Sequence, residues 1–216
     1  MKCDKSTMLL YAVTDRGWIG RQTLYEQIEC ALKGGVTCVQ LREKELGFDE
    51  FLAEAIQIKK LCNRYHIPLI INDNYEVAIK SGADGVHIGQ SDTKACEVRK
   101  IIGEHMILGV TVKTVEQAYE AVNAGANYLG TGAVFGSKTK LDAVPISHDT
   151  VREICNVVSI PVVAIGGIHK ENILNLSGTG VEGVALVSAI FASYDIESEC
   201  RELIRCSEII VGKKEL

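Results

Sequence analysis

Gln40, Arg42 and Lys44 stand two residues apart in the segment VQLREK at 39–44. On a β-strand this spacing puts an amide and two cations on one face and leaves Val39, Leu41 and Glu43 to the other. Arg42 and Lys44, together with Lys140 further along, are cations suited to phosphate oxygens. Asp73 closes the run IIND and Asp92 follows HIGQ, and both are hard oxygen ligands. Set among three cations, two carboxylates point to a Mg²⁺ that bridges protein and diphosphate. A second anion site is signalled by glycine-rich IGGI at 165–168 and by VSAI at 187–190, where backbone N–H groups can cradle a phosphate. The chemistry suggested is the binding of two small phosphorylated molecules, one through a metal and one through the backbone.

Each motif also has a plainer structural reading. Arg42 and Lys44 can be a solvated strand end. Asp73 in NDN and Asp92 in SDT can cap the helices that follow. Gly166 and Gly167 can shape a turn, and SKTK at 137–140 can be a polar loop. His87, between Val86 and Ile88, reads as a hydrogen-bonded core histidine rather than a catalytic one, and His66 and His105 precede strands, at the far end from the site. What favours function is convergence: all these residues fall just after apolar runs.

Those runs must therefore be strands that share one end. They are expected at about 8–13, 36–41, 68–72, 85–88, 107–110, 127–131, 161–165 and 182–187, with helical patterns between them such as 48–65 and 114–124. Four of the runs open after a glycine (Gly35, Gly82, Gly125, Gly180), the residue that ends a helix in the left-handed region, and these four alternate with runs that open differently. A pair of βα units used four times gives this pattern and predicts a (β/α)₈ TIM barrel forming one domain over 1–216, with a last amphipathic helix from about 193. An open doubly wound sheet is the runner-up, and it lacks the GxGxxG that would follow its first strand. In a barrel, Gln40, Arg42 and Lys44 point inward at the C-terminal mouth while Val39 and Leu41 face the helices.

Composition narrows the partners. A net charge of −5 gives no footprint for nucleic acid or an anionic membrane. No apolar run approaches the length of a membrane span, and the N-terminal residues read as a first strand rather than a signal peptide. Eight cysteines, with no CxxC, read as free thiols in a reducing cytoplasm. The sequence leaves a homo-oligomer open.

YAVTDR (11–16), VQLREK (39–44), IINDN (70–74), GADGVHIGQSD (82–92), SKTKLDA (137–143), PVVAIGGI (161–168) and GVALVSAI (183–190) together resemble the thiamine phosphate synthase family, in the family's order from about residue 9 to 192. The resemblance implies a transferase of thiamine biosynthesis. It would join 4-amino-2-methyl-5-hydroxymethylpyrimidine diphosphate to a thiazole phosphate and release diphosphate. It further implies that Gln40, Leu41, Arg42, Glu43, Lys44, Asn72, Thr111 and Lys140 hold the pyrimidine diphosphate. Arg42, Lys44 and Lys140 would be the catalytic cations. Ser137, Lys138, Thr139, Gly167, Val187 and Ser188 would hold the thiazole phosphate, and Asp73 and Asp92 the Mg²⁺. Two segments depart from the family pattern. GVTVKT at 109–114 stands where a serine, a small residue and His or Asn are usual, and GSKTK at 136–140 lacks the usual proline and has Ser137 for threonine. The alternatives are a thiazole tautomerase of the same fold family, which would need neither the full set of cations nor two metal carboxylates, and a non-catalytic phosphate-ligand binding protein.

Overall fold

The computed structural model describes residues 3–20, 22–136 and 145–214. Eight parallel strands close into a barrel in sequence order. They are β1 (Leu10–Val13), β2 (Cys38–Leu41), β3 (Leu69–Asn72), β4 (Gly85–Ile88), β5 (Ile107–Val112), β6 (Tyr128–Gly132), β7 (Val162–Ile165) and β8 (Gly183–Leu186). The helices outside are α1 (Leu24–Lys33), α2 (Phe48–Arg64), α3 (Tyr75–Ser81), α4 (Ala95–Ile102), α5 (Val115–Asn123), α6 (His148–Val157), α7 (Ser188–Phe191) and α8 (Ile196–Ile210). The open-sheet alternative is excluded, because β1 pairs with both β2 and β8.

Alternation along the strands divides the core in two. Leu10, Ala12, Val39, Leu41, Leu69 and Ile71 pack in the layer between strands and helices. Tyr11, Val13, Cys38, Ile70, Tyr128 and Val163 fill the barrel interior. Most strands begin later than the apolar runs predict. Met8, Leu9 and Val36 are buried but precede the ladder, so hydrophobicity marks the core rather than the first strand pairing. The crossover from β7 to β8 also differs from expectation. It holds only a 3₁₀ turn, Ile173–Leu176, whose Ile173 and Leu176 are fully buried and do the covering that an α-helix does elsewhere.

The four expected corner glycines all have positive φ: 98° at Gly35, 69° at Gly82, 86° at Gly125 and 86° at Gly180. At the corner before β3 the non-glycine His66 takes φ 57°, so the same turn recurs without its usual residue. α8 presents Ile196, Cys200, Leu203, Ser207 and Ile210 inward at alternating steps of four and three, as its sequence predicts. It closes on the end of α1, where a Cβ at Gly34 would lie 2.5 Å from Cβ of Cys200.

Gly82 isolates the conformational cost, since a Cβ there would meet no atom within 4 Å. Gly82→Ala is expected to lower the unfolding free energy by about 1 kcal/mol in urea titration, while activity below the transition stays intact. An unchanged midpoint would show that the left-handed corner costs alanine nothing.

Candidate functional site

The C-terminal ends of the strands surround a cavity of about 790 Å³ whose lining includes Gln40, Arg42, Asn72, Thr111, Gly167, Val187 and Ser188. A second hollow of about 510 Å³ adjoins it and is lined by Glu43, Lys44, Asn72 and Asp73 among others. Asn72 borders both. Ser137, Lys138, Thr139 and Lys140 lie outside the described residues.

Strand parity positions the first group. Gln40 and Arg42 turn inward. Leu41 is fully buried in the helix-facing layer, so it offers a ligand only its backbone. Thr14 ties the ends of β1 and β2 together. Its N–H donates to the Gln40 carbonyl at 3.0 Å, and its hydroxyl accepts from the Arg42 N–H at 2.9 Å. Arg42 Nη1 then donates to Asp15 Oδ2 at 2.9 Å, and Asp15 Oδ1 accepts from the Gly17 N–H at 2.9 Å. Asp15 thus aims the guanidinium and shapes the loop beside it.

Glu43 faces away from the interior. Its Oε2 accepts from Arg16 Nε at 2.6 Å, and Arg16 also grips Glu54 on α2 through Nη2 at 2.8 Å. Its side chain is 1% exposed, and its Oε1 has no hydrogen-bond partner within 3.5 Å among the described residues. Burial pushes the Glu43 carboxyl up to about 7, and Glu54 adds to this while Arg16 opposes it. Glu43 anchors the strand-2 end from behind.

The carboxylates meet at the ends of β3 and β4. Asp73 has φ 62°, rare for a residue with a side chain, and its N–H donates to the His87 carbonyl at 2.8 Å. The cap of α3 is Asn74, which accepts from the Val77 N–H, so Asp73 is free of that duty. Its Oδ2 accepts from Lys44 Nζ at 2.5 Å. Asp92 is no helix cap either, since α4 starts after Lys94. Its Oδ2 accepts from the Gly89 N–H at 2.7 Å. Burial raises the Asp92 pKa, and the neighbouring Asp73 raises it further, against the Gly89 hydrogen bond and Lys44. The structure therefore brings Arg42, Lys44, Asn72, Asp73 and Asp92 to one mouth.

On the other side, Gly166 (φ 99°) and Gly167 (φ 68°) let the loop after β6 lie against the end of β7. Phe135 N–H donates to the Gly166 carbonyl at 3.1 Å, and a Cβ on Gly167 would stand 2.2 Å from the Gly136 oxygen. Asn172 Nδ2 holds the Gly167 carbonyl at 2.9 Å.

His87 is buried and hydrogen-bonded, as its sequence context predicts. Nδ1 lies 2.8 Å from Tyr128 Oη and Nε2 lies 2.8 Å from Thr111 Oγ1. Burial pushes its imidazole down to about 4, with Asp92 acting weakly the other way. Tyr11, Tyr128, Asp15 and Trp18 also line the cavity and were not singled out one by one from sequence. Tyr11 was findable, since it falls on the inward parity of YAVTDR. Tyr128 was hidden among glycines, and Asp15 gains meaning only from the cation that it meets in space.

Comparison with known proteins points to one family. A family model described as thiamine monophosphate synthase matches residues 10–190. "Thiamine-phosphate synthase" of Ruminiclostridium cellulolyticum is 49% identical over 204 residues, covering 94% of this chain and 96% of the relative. "Thiamine-phosphate synthase 2" of Streptococcus pneumoniae is 42% identical over 202 residues, with 94% and 96% covered. The solved thiamine phosphate pyrophosphorylase of Pyrococcus furiosus superposes with a TM-score of 0.88 at 34% identity, over 96% of this chain and 99% of that one.

If Asp73 helps to hold the Asp92 proton, Asp73→Asn should lower the Asp92 pKa, because the neighbouring negative charge is gone and Lys44 is left without its partner. Carboxyl ¹³C titration reads this directly. A pKa that stays in place would show that the two carboxylates do not interact.

Proposed function

The chain belongs to the thiamine monophosphate synthase family, and from that premise we propose how its residues divide the work. The function is the transferase reaction in which a pyrimidine diphosphate and a thiazole phosphate give thiamine phosphate and diphosphate. The observation that carries the assignment of roles is that Arg42 lines the larger cavity, Lys44 and Asp73 line the hollow that shares Asn72 with it, and Asp92 interacts with Asp73. The tautomerase and binding-protein readings need no such set.

Gln40, Arg42, Lys44, Asn72 and Thr111 hold the pyrimidine diphosphate, with backbone help from Leu41 and Glu43. Gly167, Val187 and Ser188 hold the thiazole phosphate across the cavity, and the family pattern adds Ser137, Lys138 and Thr139 there and Lys140 on the diphosphate. For the metal, the test is the donor set. No cluster of three His, Cys, Asp or Glu side chains suited to a metal occurs among the described residues. Asp73 and Asp92 fit a Mg²⁺ site of the other kind, in which one or two carboxylates suffice and substrate phosphates complete the shell. Burial, and after it the neighbouring Asp73, raises the Asp92 pKa, and a cation held between the two carboxylates would favour their ionised forms. When bound, Mg²⁺ neutralises charge on the diphosphate.

The chain's own residues supply electrostatics and orientation. The amino group of the pyrimidine releases electrons toward its exocyclic carbon, so the C–O bond to diphosphate breaks ahead of full C–N bond formation. Arg42, Lys44 and Lys140 stabilise the oxygens that leave. One preorganised contact of this type is worth roughly 3–4 kcal/mol in the transition state. The anchored thiazole phosphate turns the ring nitrogen toward the electrophilic carbon. No side chain is needed as a general base, because diphosphate oxygens can take a proton. With no helix among the described residues long and apolar enough to cross a membrane, and with eight free cysteines, the proposed setting is the reducing cytoplasm.

The decisive assay is diphosphate release on mixing both substrates, with and without magnesium. Wild-type protein should turn over only with the metal. Arg42→Ala should lower kcat by about 10²–10³-fold with the circular dichroism spectrum unchanged. Release that is as fast in the variant, or as fast in excess chelator, contradicts the assigned roles.

A further inference from the structure

Five polar side chains form one continuous hydrogen-bonded row across the barrel interior. Gln40 Nε2 donates to Tyr11 Oη at 2.9 Å. Tyr11 Oη lies 2.8 Å from Tyr128 Oη, Tyr128 Oη lies 2.8 Å from His87 Nδ1, and His87 Nε2 lies 2.8 Å from Thr111 Oγ1. The inner members are deeply buried, with Tyr128 fully so and Tyr11 at 1% exposure. All five line the cavity, with Gln40 and Thr111 at the two ends of the row.

The geometry is built rather than incidental. His87, Gly109 and Tyr128 stand in register on three neighbouring strands. A Cβ at Gly109 would lie 2.2 Å from Tyr128 Cζ and 2.5 Å from His87 Nδ1. The imidazole and the phenol meet only because the strand between them carries no side chain.

The Gln40 end gives the row a direction. Tyr11 accepts from Gln40, and with its own proton turned to Tyr128 rather than to the adjoining Cys38 the other bonds of the row follow. Tyr128, having accepted, donates to His87 Nδ1. That nitrogen is then an acceptor, so the imidazole proton sits on Nε2 and goes to Thr111 Oγ1. Thr111 has accepted, and its hydroxyl proton is left to point into the cavity. At the other end the Gln40 amide has committed one N–H inward, and its Oε1 has no partner among the described residues.

We propose that Tyr128 and His87 are positioning residues that set the hydrogen-bond polarity of the cavity floor, so that Thr111 donates to the ligand and Gln40 accepts from it through Oε1. The floor then takes a planar heterocycle with a donor on the Gln40 side and an acceptor on the Thr111 side. This deepens the proposed function and rests on it for the placing of the pyrimidine between Gln40 and Thr111. The two ends are coupled: reversing one reverses every bond between them, including the histidine tautomer.

Two measurements test the proposal. In the wild-type protein without substrates, ¹⁵N NMR of His87 should show the neutral Nε2–H tautomer. An Nδ1–H tautomer or a mixture overturns the polarity, and this holds whatever the protein turns over. In the diphosphate-release assay, Tyr128→Phe should lower kcat/KM for the pyrimidine diphosphate about tenfold, the effect of one hydrogen bond, with KM for the thiazole phosphate unchanged. Combined with Thr111→Val, the loss should be smaller than the product of the two single losses, because both variants break one row. A combined loss equal to that product, or an equal rise in KM for both substrates, overturns the positioning role. Wild-type protein that fails to release diphosphate would instead sink the functional reading and leave the NMR result standing.

Discussion

A closed parallel barrel buries both faces of every strand, and the rest of this structure follows from that constraint. A polar side chain that points inward has no water to fall back on, so it must find a partner, reach the mouth or wait for a ligand. Gln40 and Thr111 do the first two together. Arg42 and Lys44 lie further along the strand direction, reach the mouth and pair with Asp15 and Asp73. The site is the set of inward polar residues that closure pushes to one rim.

The ion pairs at this rim differ in kind from those on the surface. Arg42–Asp15 and Lys44–Asp73 join loops to strand ends and leave the cations facing space that an anion can enter. An anion that binds there would meet charges already held in place, which reduces the ordering that binding must cost. Arg16, Glu43 and Glu54 form a separate brace behind β2, where the raised Glu43 pKa records burial rather than a role in chemistry. The opposite rim works by a different device. There, glycine backbone in the left-handed region allows two loops to approach within hydrogen-bonding distance.

The barrel interior below the rim is also unusual in composition. Tyr11 and Tyr128 meet edge to face, with ring centroids 5.8 Å apart and hydroxyls in contact. Burial raises the pKa of both phenols, which keeps them neutral donors. Two large rings fill volume that Val, Ile and Leu usually fill, and their hydroxyls carry the hydrogen-bonded row from one side of the cavity floor to the other.

Much of this was legible in the chain before any coordinates. Period-two alternation in VQLREK assigned each side chain to the interior or to the helix layer, because that period is a property of the extended backbone itself. Glycines at 35, 82, 125 and 180 located the corners, because few other residues take positive φ cheaply. The crossover after β7 was not legible, since a 3₁₀ turn and an α-helix can bury the same apolar residues, nor was His66 as a corner residue. Sequence could not show which carboxylate serves which cation: Asp15 and Arg42, or Asp73 and Lys44, are 27 and 29 positions apart, and only closure of the barrel makes them neighbours. It could not show the row from Gln40 to Thr111 either, because that row crosses strands in space. The sequence determined which faces are polar, since that is local; the tertiary structure decided which polar groups share a hydrogen bond, since distance across a barrel is not.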